Sequence, residues 1–386
     1  MTANDRQSKV APPHSNRPVV PPIVQSVTFE AASVAELQSQ VGGNSFYMRH
    51  GNPTVAHAER LLAELEGAPE AVAFGSGMAS ISTTLLTLLQ AGDHLVAQRE
   101  VYGATFDLVA HWLPRLGVEL TLVDAIASAA QFADAIQPHT KVVYIETPTN
   151  PTLRLADLRR VAQVARRHGV VSVVDSTFAS PINQRPHELG IDVVVHAATK
   201  YLSGHSDILA GVVTADTTIA GRIRAARVCW GSALDPHAAW LLIRGLKTLP
   251  LRVRQQNESA LRIAEFLSHD ERVERVHYPF HPSHPQYALA RSQMSGGGGV
   301  LSFELCGDAE QTRTFVEGLR RFALAPSLGG VESLVTLPAL GTHAAMSDTE
   351  RQLAGVSDRL VRLAVGIEPV EDLVADISQA LEAATG

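Results

Sequence analysis

Seven short apolar runs, rich in β-branched residues and strung between residues 71 and 215, constrain this chain more than any other feature. They are AVAF (71–74), HLVA (94–97), VELTLV (118–123), KVVYIE (141–146), VVSVVD (170–175), DVVVHA (192–197) and GVVTA (211–215). Helical patterns separate several of them, as in Leu155 to His168, where Leu155, Leu158, Val161, Ala162 and Ala165 share one stripe. Near-continuous apolar strands alternating with helices predict an α/β domain whose mostly parallel seven-stranded sheet is covered on both faces. Chemistry in such sheets gathers in the crevice beyond the carboxyl ends of the strands.

That pattern bounds a large domain over residues 54–245. Residues 1–53 precede it as an extended arm, because Pro12, Pro13, Pro18, Pro21 and Pro22 oppose regular helix. Residues 246–386 predict a smaller α+β domain: a helix from Arg252 to Ser268, a Pro/His loop, four glycines, the strand VLSFEL, and helices near 308–320 and 371–384. The charge-free stretch Ala71 to Gly92 has the length of a membrane span, but Gly75 and Gly77 divide it. It reads better as a buried strand followed by a buried helix.

Composition narrows the function classes. Hydrophobic residues make 45% of the chain and charged residues 18%, ordinary values for a soluble globular protein. A net charge of -7 gives no general attraction to nucleic acid or to an anionic membrane. Two cysteines, Cys229 and Cys306, are too few for a disulfide framework, so a cytoplasmic setting is expected and both read as small core residues. The histidines of the Pro/His loop, His277, His281 and His284, lack regular ligand spacing, and no metal is expected there.

Four strand ends carry groups whose chemistry fits together. Lys200 follows DVVVHA; a desolvated lysine there can lose its proton and attack an aldehyde, although many lysines at strand ends only reach solvent. Asp175 ends VVSVVD and could keep a pyridine nitrogen protonated, or merely cap a helix. AFGSGMAS (73–80) turns a strand through glycine into a helix, which aims backbone N–H groups at one point, as a phosphate cradle does. Tyr102 could stack on a flat ring or pack in a core. An aldehyde trap, a pyridine partner, a phosphate cradle and a stacking ring together describe a site for pyridoxal 5'-phosphate (PLP).

With these residues in place the chain resembles the Cys/Met-metabolism, or trans-sulfuration, family of fold-type I PLP enzymes, which includes lyases and synthases acting on cystathionine and methionine. The matching motifs run from about Pro21 to Pro369 and stand here as VVPPI, FYMRHGNPT, FGSGMAS, VYGATF, ETPTNPT, VDSTF, ATKYLSGH, LIRGLKTL, SLGGVESL and LVRLAVGIE. The resemblance implies that Lys200 holds PLP as a Schiff base and moves protons, and that Asp175 pairs with the pyridine nitrogen. It implies that Gly77, Met78 and Thr199 bind the phosphate, with Tyr47 and Arg49 reaching the cofactor of a neighbouring subunit. Tyr102 would stack on the ring and assist departure of the γ-substituent. Arg362 would clamp the substrate α-carboxylate, helped by Ser327 and Asn150, and Glu332 would serve substrate binding. A homotetramer, built as a dimer of dimers with shared sites, is the family's usual assembly.

Departures bear on specificity. Ala197 stands where the family usually has serine, one phosphate hydroxyl fewer, and Ser176 stands where asparagine is frequent. Asp107 occupies a position where cystathionine-specific members tend to carry arginine, and would repel a distal carboxylate if it faced the site. YGATF resembles the methionine γ-lyase version, with Ala104 in place of its cysteine, whereas SLGGVESL with Glu332 resembles cystathionine enzymes. The activity expected is γ-elimination from a small γ-substituted amino acid such as methionine or cystathionine, giving a 2-oxo acid, ammonia and a thiol. γ-Replacement by an added thiol is the alternative. A catalytically silent PLP-binding protein and an aminotransferase are the remaining readings.

Overall fold

The computed structural model of the chain describes residues 18–341, 351 and 355–385; Pro12 and Pro13 of the arm lie outside them. Each of the seven apolar runs is a strand: β1 Glu70–Phe74, β2 His94–Gln98, β3 Glu119–Val123, β4 Thr140–Glu146, β5 Val171–Asp175, β6 Val193–His196 and β7 Gly211–Ala215. They form one sheet in the order β1, β7, β6, β5, β4, β2, β3. All run parallel except β7, which pairs antiparallel with both β1 and β6.

Both faces of this sheet are buried, as the uninterrupted apolar runs require. In β4, Val142 and Tyr144 enter one core while Val143 and Ile145 enter the opposite one. The stretch Ala71 to Gly92 is β1 followed by a helix, Gly77–Leu88, as its dividing glycines predicted. Among the described residues no helix is long and apolar enough to cross a membrane.

The second sheet comprises β8 Val273–His277, β9 Val300–Leu305, β10 Ala323–Leu324, β11 Leu334–Thr336 and β12 Leu360–Ala364, in the order β10, β11, β12, β9, β8. Helices Leu249–Ser268, Ala309–Gly318 and Val370–Thr385 cover one face of it. Strand alternation decides what the other face offers. Val361 and Leu363 join the helix-covered core, so Arg362 between them points the opposite way, toward the large sheet.

Local chemistry corrects several expectations. The arm contains a short helix, α1 (Val34–Gln40), because the prolines stop at Pro22. Ser33 accepts the Glu36 N–H while Glu36 accepts the Ala32 N–H. The helix predicted from Leu155 begins at Leu158, where Asp157 caps it by accepting the Arg160 N–H. Leu155 is apolar because it packs in a loop with Ala179, Ala290 and Met294. The two cysteines are exposed rather than buried. Helix Thr217–Trp230 buries Ala220, Ile223 and Arg227, a stripe that leaves Cys229 outside, and Cys306 lies just past the end of β9.

Candidate active site

The carboxyl ends of β1, β4, β5 and β6 converge with β12 on a cavity of about 390 Å³. It is lined by Gly77, Met78, Tyr102, Asn150, Asp175, Thr199, Lys200, Ser327 and Arg362, so nine of the residues singled out from sequence meet in one place.

Asp175 is the last residue of β5 and is buried. Its Oδ1 accepts hydrogen bonds from the N–H and the hydroxyl of Thr177, whose Oγ1 also accepts the Ala197 N–H at 2.9 Å. Burial pushes the Asp175 proton affinity up, while the two Thr177 bonds and nearby His196 oppose it. A cationic ring nitrogen beside it would complete the ionised form.

Lys200 sits in the connection between β6 and β7, and its Nζ donates to Ser327 Oγ at 2.7 Å. Burial first, and the Arg362 guanidinium second, bring its pKa down to about 8. About one amine in ten is thus neutral and nucleophilic at pH 7, and about half at pH 8, as aldehyde capture requires.

Arg362 is only 2% exposed. Its Nη1 donates to Asn150 Oδ1 at 2.8 Å and its Nη2 to the Ser327 carbonyl at 3.0 Å, while its buried Nε has no partner. Among the described residues no carboxylate pairs with it, and burial lowers its pKa to about 10. A buried guanidinium with an unmatched N–H suits a ligand carboxylate. Ser327 adopts φ 121°, a conformation that costs most residues about 1–3 kcal/mol. It is held there from both sides, by Lys200 on its hydroxyl and Arg362 on its carbonyl.

The glycine turn after β1 leads into the helix Gly77–Leu88, capped by Ser76, which accepts the Ala79 N–H at 3.1 Å. The N–H groups of Gly77 and Met78 fall in the first turn, where no intrahelical acceptor exists. Gly77 must be glycine: a Cβ there would lie 2.7 Å from the Cβ of Ala197. Thr199 donates its hydroxyl to the Ala210 carbonyl at 3.2 Å and accepts the Ala210 N–H at 3.0 Å. Tyr102 opens a short helix, Gly103–Asp107, with its ring at the cavity mouth and 45% of the residue exposed.

Some sequence candidates lie elsewhere. Glu332 lines an adjoining hollow with Ser206 and Leu209, where it accepts the Ser206 hydroxyl. Tyr47 and Arg49 do not line the cavity of their own chain. Arg49 instead donates to the Val228 carbonyl at 2.8 Å and stacks on the Tyr47 ring at 5.5 Å. Asp107 is outside as well: its side chain is 68% exposed and faces His111, with Oδ1 3.0 Å from the ring Nδ1. Repulsion of a distal substrate carboxylate by Asp107 therefore has no basis within this chain. Lining residues not singled out from sequence include Glu146, Thr177 and Phe178. Glu146 was visible as the end of KVVYIE, one strand from Asp175, and strand-end placement alone would have marked it.

The donor set matches PLP group by group: an amine of lowered pKa, a buried carboxylate with no ion pair among the described residues, a helix N-terminus closed to side chains, and an aromatic ring. The sequence model of a family described as Cys/Met metabolism PLP-dependent enzyme matches residues 5–382. L-methionine gamma-lyase of Pseudomonas putida is 44% identical over 370 residues, covering 95% of this chain and 93% of that protein. Cystathionine gamma-lyase of Bacillus subtilis is 44% identical over 337 residues, covering 87% and 88%. Among solved structures, cystathionine gamma synthase from Xanthomonas oryzae pv. oryzae in complex with cystathionine aligns with a TM-score of 0.91 at 41% identity, covering 95% of this chain and 94% of that one.

Proposed function

The chain belongs to the Cys/Met-metabolism family of PLP-dependent enzymes, and within it we propose a γ-lyase that cleaves the bond between the γ-carbon and sulfur of an amino acid such as methionine. One observation carries this choice. Among the described residues Lys200 and Arg362 are the only cations lining the cavity, and the rest of the wall includes Met78, Ile81, Phe178, Leu209 and Leu328. Arg362 serves the α-carboxylate, so a second carboxylate would find no cation in this wall, whereas an apolar thioether finds apolar surface.

When bound, PLP supplies an aldehyde for an amine to capture and a ring that withdraws electrons from the substrate's α-carbon. Lys200 would hold the aldehyde and Asp175 the pyridine nitrogen. The N–H groups of Gly77 and Met78 would hold the phosphate. Thr199 joins them by turning its hydroxyl hydrogen away from the Ala210 carbonyl. Tyr102 would cover the ring.

Arg362, steadied by Asn150 and the Ser327 carbonyl, fixes the substrate carboxylate and thereby the direction of the α-C–H bond. Neutral Lys200 Nζ, kept in place by Ser327 Oγ, would take the α-proton, hand it on, and, neutral again, take a proton from the β-carbon. Tyr102 at the mouth stands where a proton can follow the departing sulfur. Across the whole turnover one water is consumed, and a 2-oxo acid, ammonia and a thiol are released.

The assembly proposed is a homotetramer of two dimers in the cytoplasm, in which Tyr47 and Arg49 serve the partner's phosphate. Their distance from the cavity of their own chain supports this arrangement. The likeness to a γ-synthase favours a second reading, γ-replacement, in which an added thiol captures the substrate after its γ-substituent leaves.

The deciding experiment follows 2-oxo acid release by the PLP-loaded protein from L-methionine, L-cystathionine, L-homocysteine, L-cysteine and an O-acyl-homoserine, with and without thiol. Release from methionine without thiol is expected. No release, but a new thioether from O-acyl-homoserine once thiol is present, would establish γ-replacement instead.

A further inference from the structure

Glu146 lines the cavity and has no part in the roles above. It ends β4 opposite Asp175, its register partner across the parallel β4–β5 pair, and is only 3% exposed. Among the described residues no cation forms an ion pair with it. Burial and the neighbouring Asp175 both raise its proton affinity. A carboxyl in such a place is costly unless its hydrogen bonds matter.

One of those bonds reaches a working segment: Oε2 accepts the Tyr102 N–H at 2.7 Å. Tyr102 sits at the N-cap of its short helix with no side-chain cap bond of its own, so Glu146 supplies the hydrogen bond that seats the start of that helix. The Glu146 N–H donates to Gln98 Oε1 at 3.2 Å, and Gln98 Nε2 donates to the Glu100 carbonyl at 3.1 Å, which braces the clamp against the end of β2.

We propose that Glu146 is a positioning residue that seats the backbone under the Tyr102 ring and braces it against the ends of β4 and β2. The proposal rests on the role given above to Tyr102. It makes Glu146 act through that ring, without touching the reacting atoms.

The test is a double-mutant cycle on the PLP-loaded protein with Glu146→Ala, Tyr102→Ala and the pair, read by kcat/KM for methionine and by the visible circular dichroism of the bound cofactor. A ring displaced by about 1 Å costs about 100-fold in rate, and that loss is expected for Glu146→Ala. In the Tyr102→Ala background the same change should cost no more than about 3-fold, since the clamp has lost what it positions. Glu146→Gln keeps one acceptor oxygen and should recover at least about 10-fold over Glu146→Ala. If Glu146→Ala fails to fold, Glu146→Leu, which fills the space without an acceptor, completes the cycle in its place. An equal loss in both backgrounds, or a cofactor dichroism band that Glu146→Ala leaves unchanged, overturns the proposal. A wild-type protein that turns over no substrate would instead strike at the proposed function, while the dichroism still tests the clamp.

Discussion

The titration of Lys200 can be followed directly in the cofactor-free protein by the rate at which it captures added PLP. With its pKa brought down to about 8, half of the amine is neutral at pH 8. An ordinary lysine near 10.5 would be neutral in only about one molecule in 300 at that pH. Capture at pH 8 should therefore run on the order of 100-fold faster than capture by a solvated lysine, fall about tenfold per pH unit below 7, and level off above about 9. Stopped-flow absorbance over pH 6 to 10.5 measures this profile. Arg362→Gln removes the second cause of the depression and leaves burial, the first, so its midpoint should move up but stay below 10.5. A wild-type midpoint at or above 10, or an Arg362→Gln profile that does not move, refutes the reasoning.

The same depression fixes a sign in stability. Between pH 8 and 10.5 the folded state binds fewer protons than the unfolded one, so the penalty for burying Lys200 is full below pH 8 and fades as pH rises to 10.5. Cofactor-free Lys200→Met should outlast wild type in urea at pH 7 by on the order of 2 kcal/mol, with the gap closing toward pH 10.

Ala197→Ser, next to the Gly77 turn, should tighten PLP binding by about 10-fold through one added hydroxyl, measured by equilibrium dialysis. Arg362→Lys replaces a planar fork by a point charge, and should cost about 100-fold in kcat/KM for methionine, chiefly through KM. Asp107→Arg should leave the ratio of methionine to cystathionine turnover unchanged, because the side chain faces His111 and solvent. A shift in that ratio would place Asp107 in a site shared between subunits.

Strand ends are where the sequence was most informative, for a physical reason. Runs such as VVSVVD and DVVVHA must cross a buried sheet, so Asp175, which closes the first, and Thr199 and Lys200, which follow the second, emerge at its carboxyl edge. Side-chain direction within short helices was not legible. Asp107 closes a five-residue helix, too short for periodicity to set its phase, and the pair it makes with His111 four residues on turns it outward. Leu155 was assigned to a helical stripe because apolar spacing does not distinguish helix from loop packing; only the cap at Asp157 does. Glu146 is legible as a strand end, but its partner is not, because the backbone N–H of Tyr102 leaves no mark on residue type.

The reversed seventh strand has a consequence for how the site comes into being. In the sheet β7 lies between β1 and β6, so the strand that precedes Gly77 and the strand that precedes Lys200 are joined only through β7. The fit is close: a Cβ at Gly211, the first residue of β7, would lie 2.1 Å from the Ser76 carbonyl oxygen. A chain folded without β7 therefore holds the phosphate cradle and the aldehyde trap as separate pieces. The cradle and the trap are thus keyed to one another through a strand that carries neither, so a defect in β7 would loosen both at once.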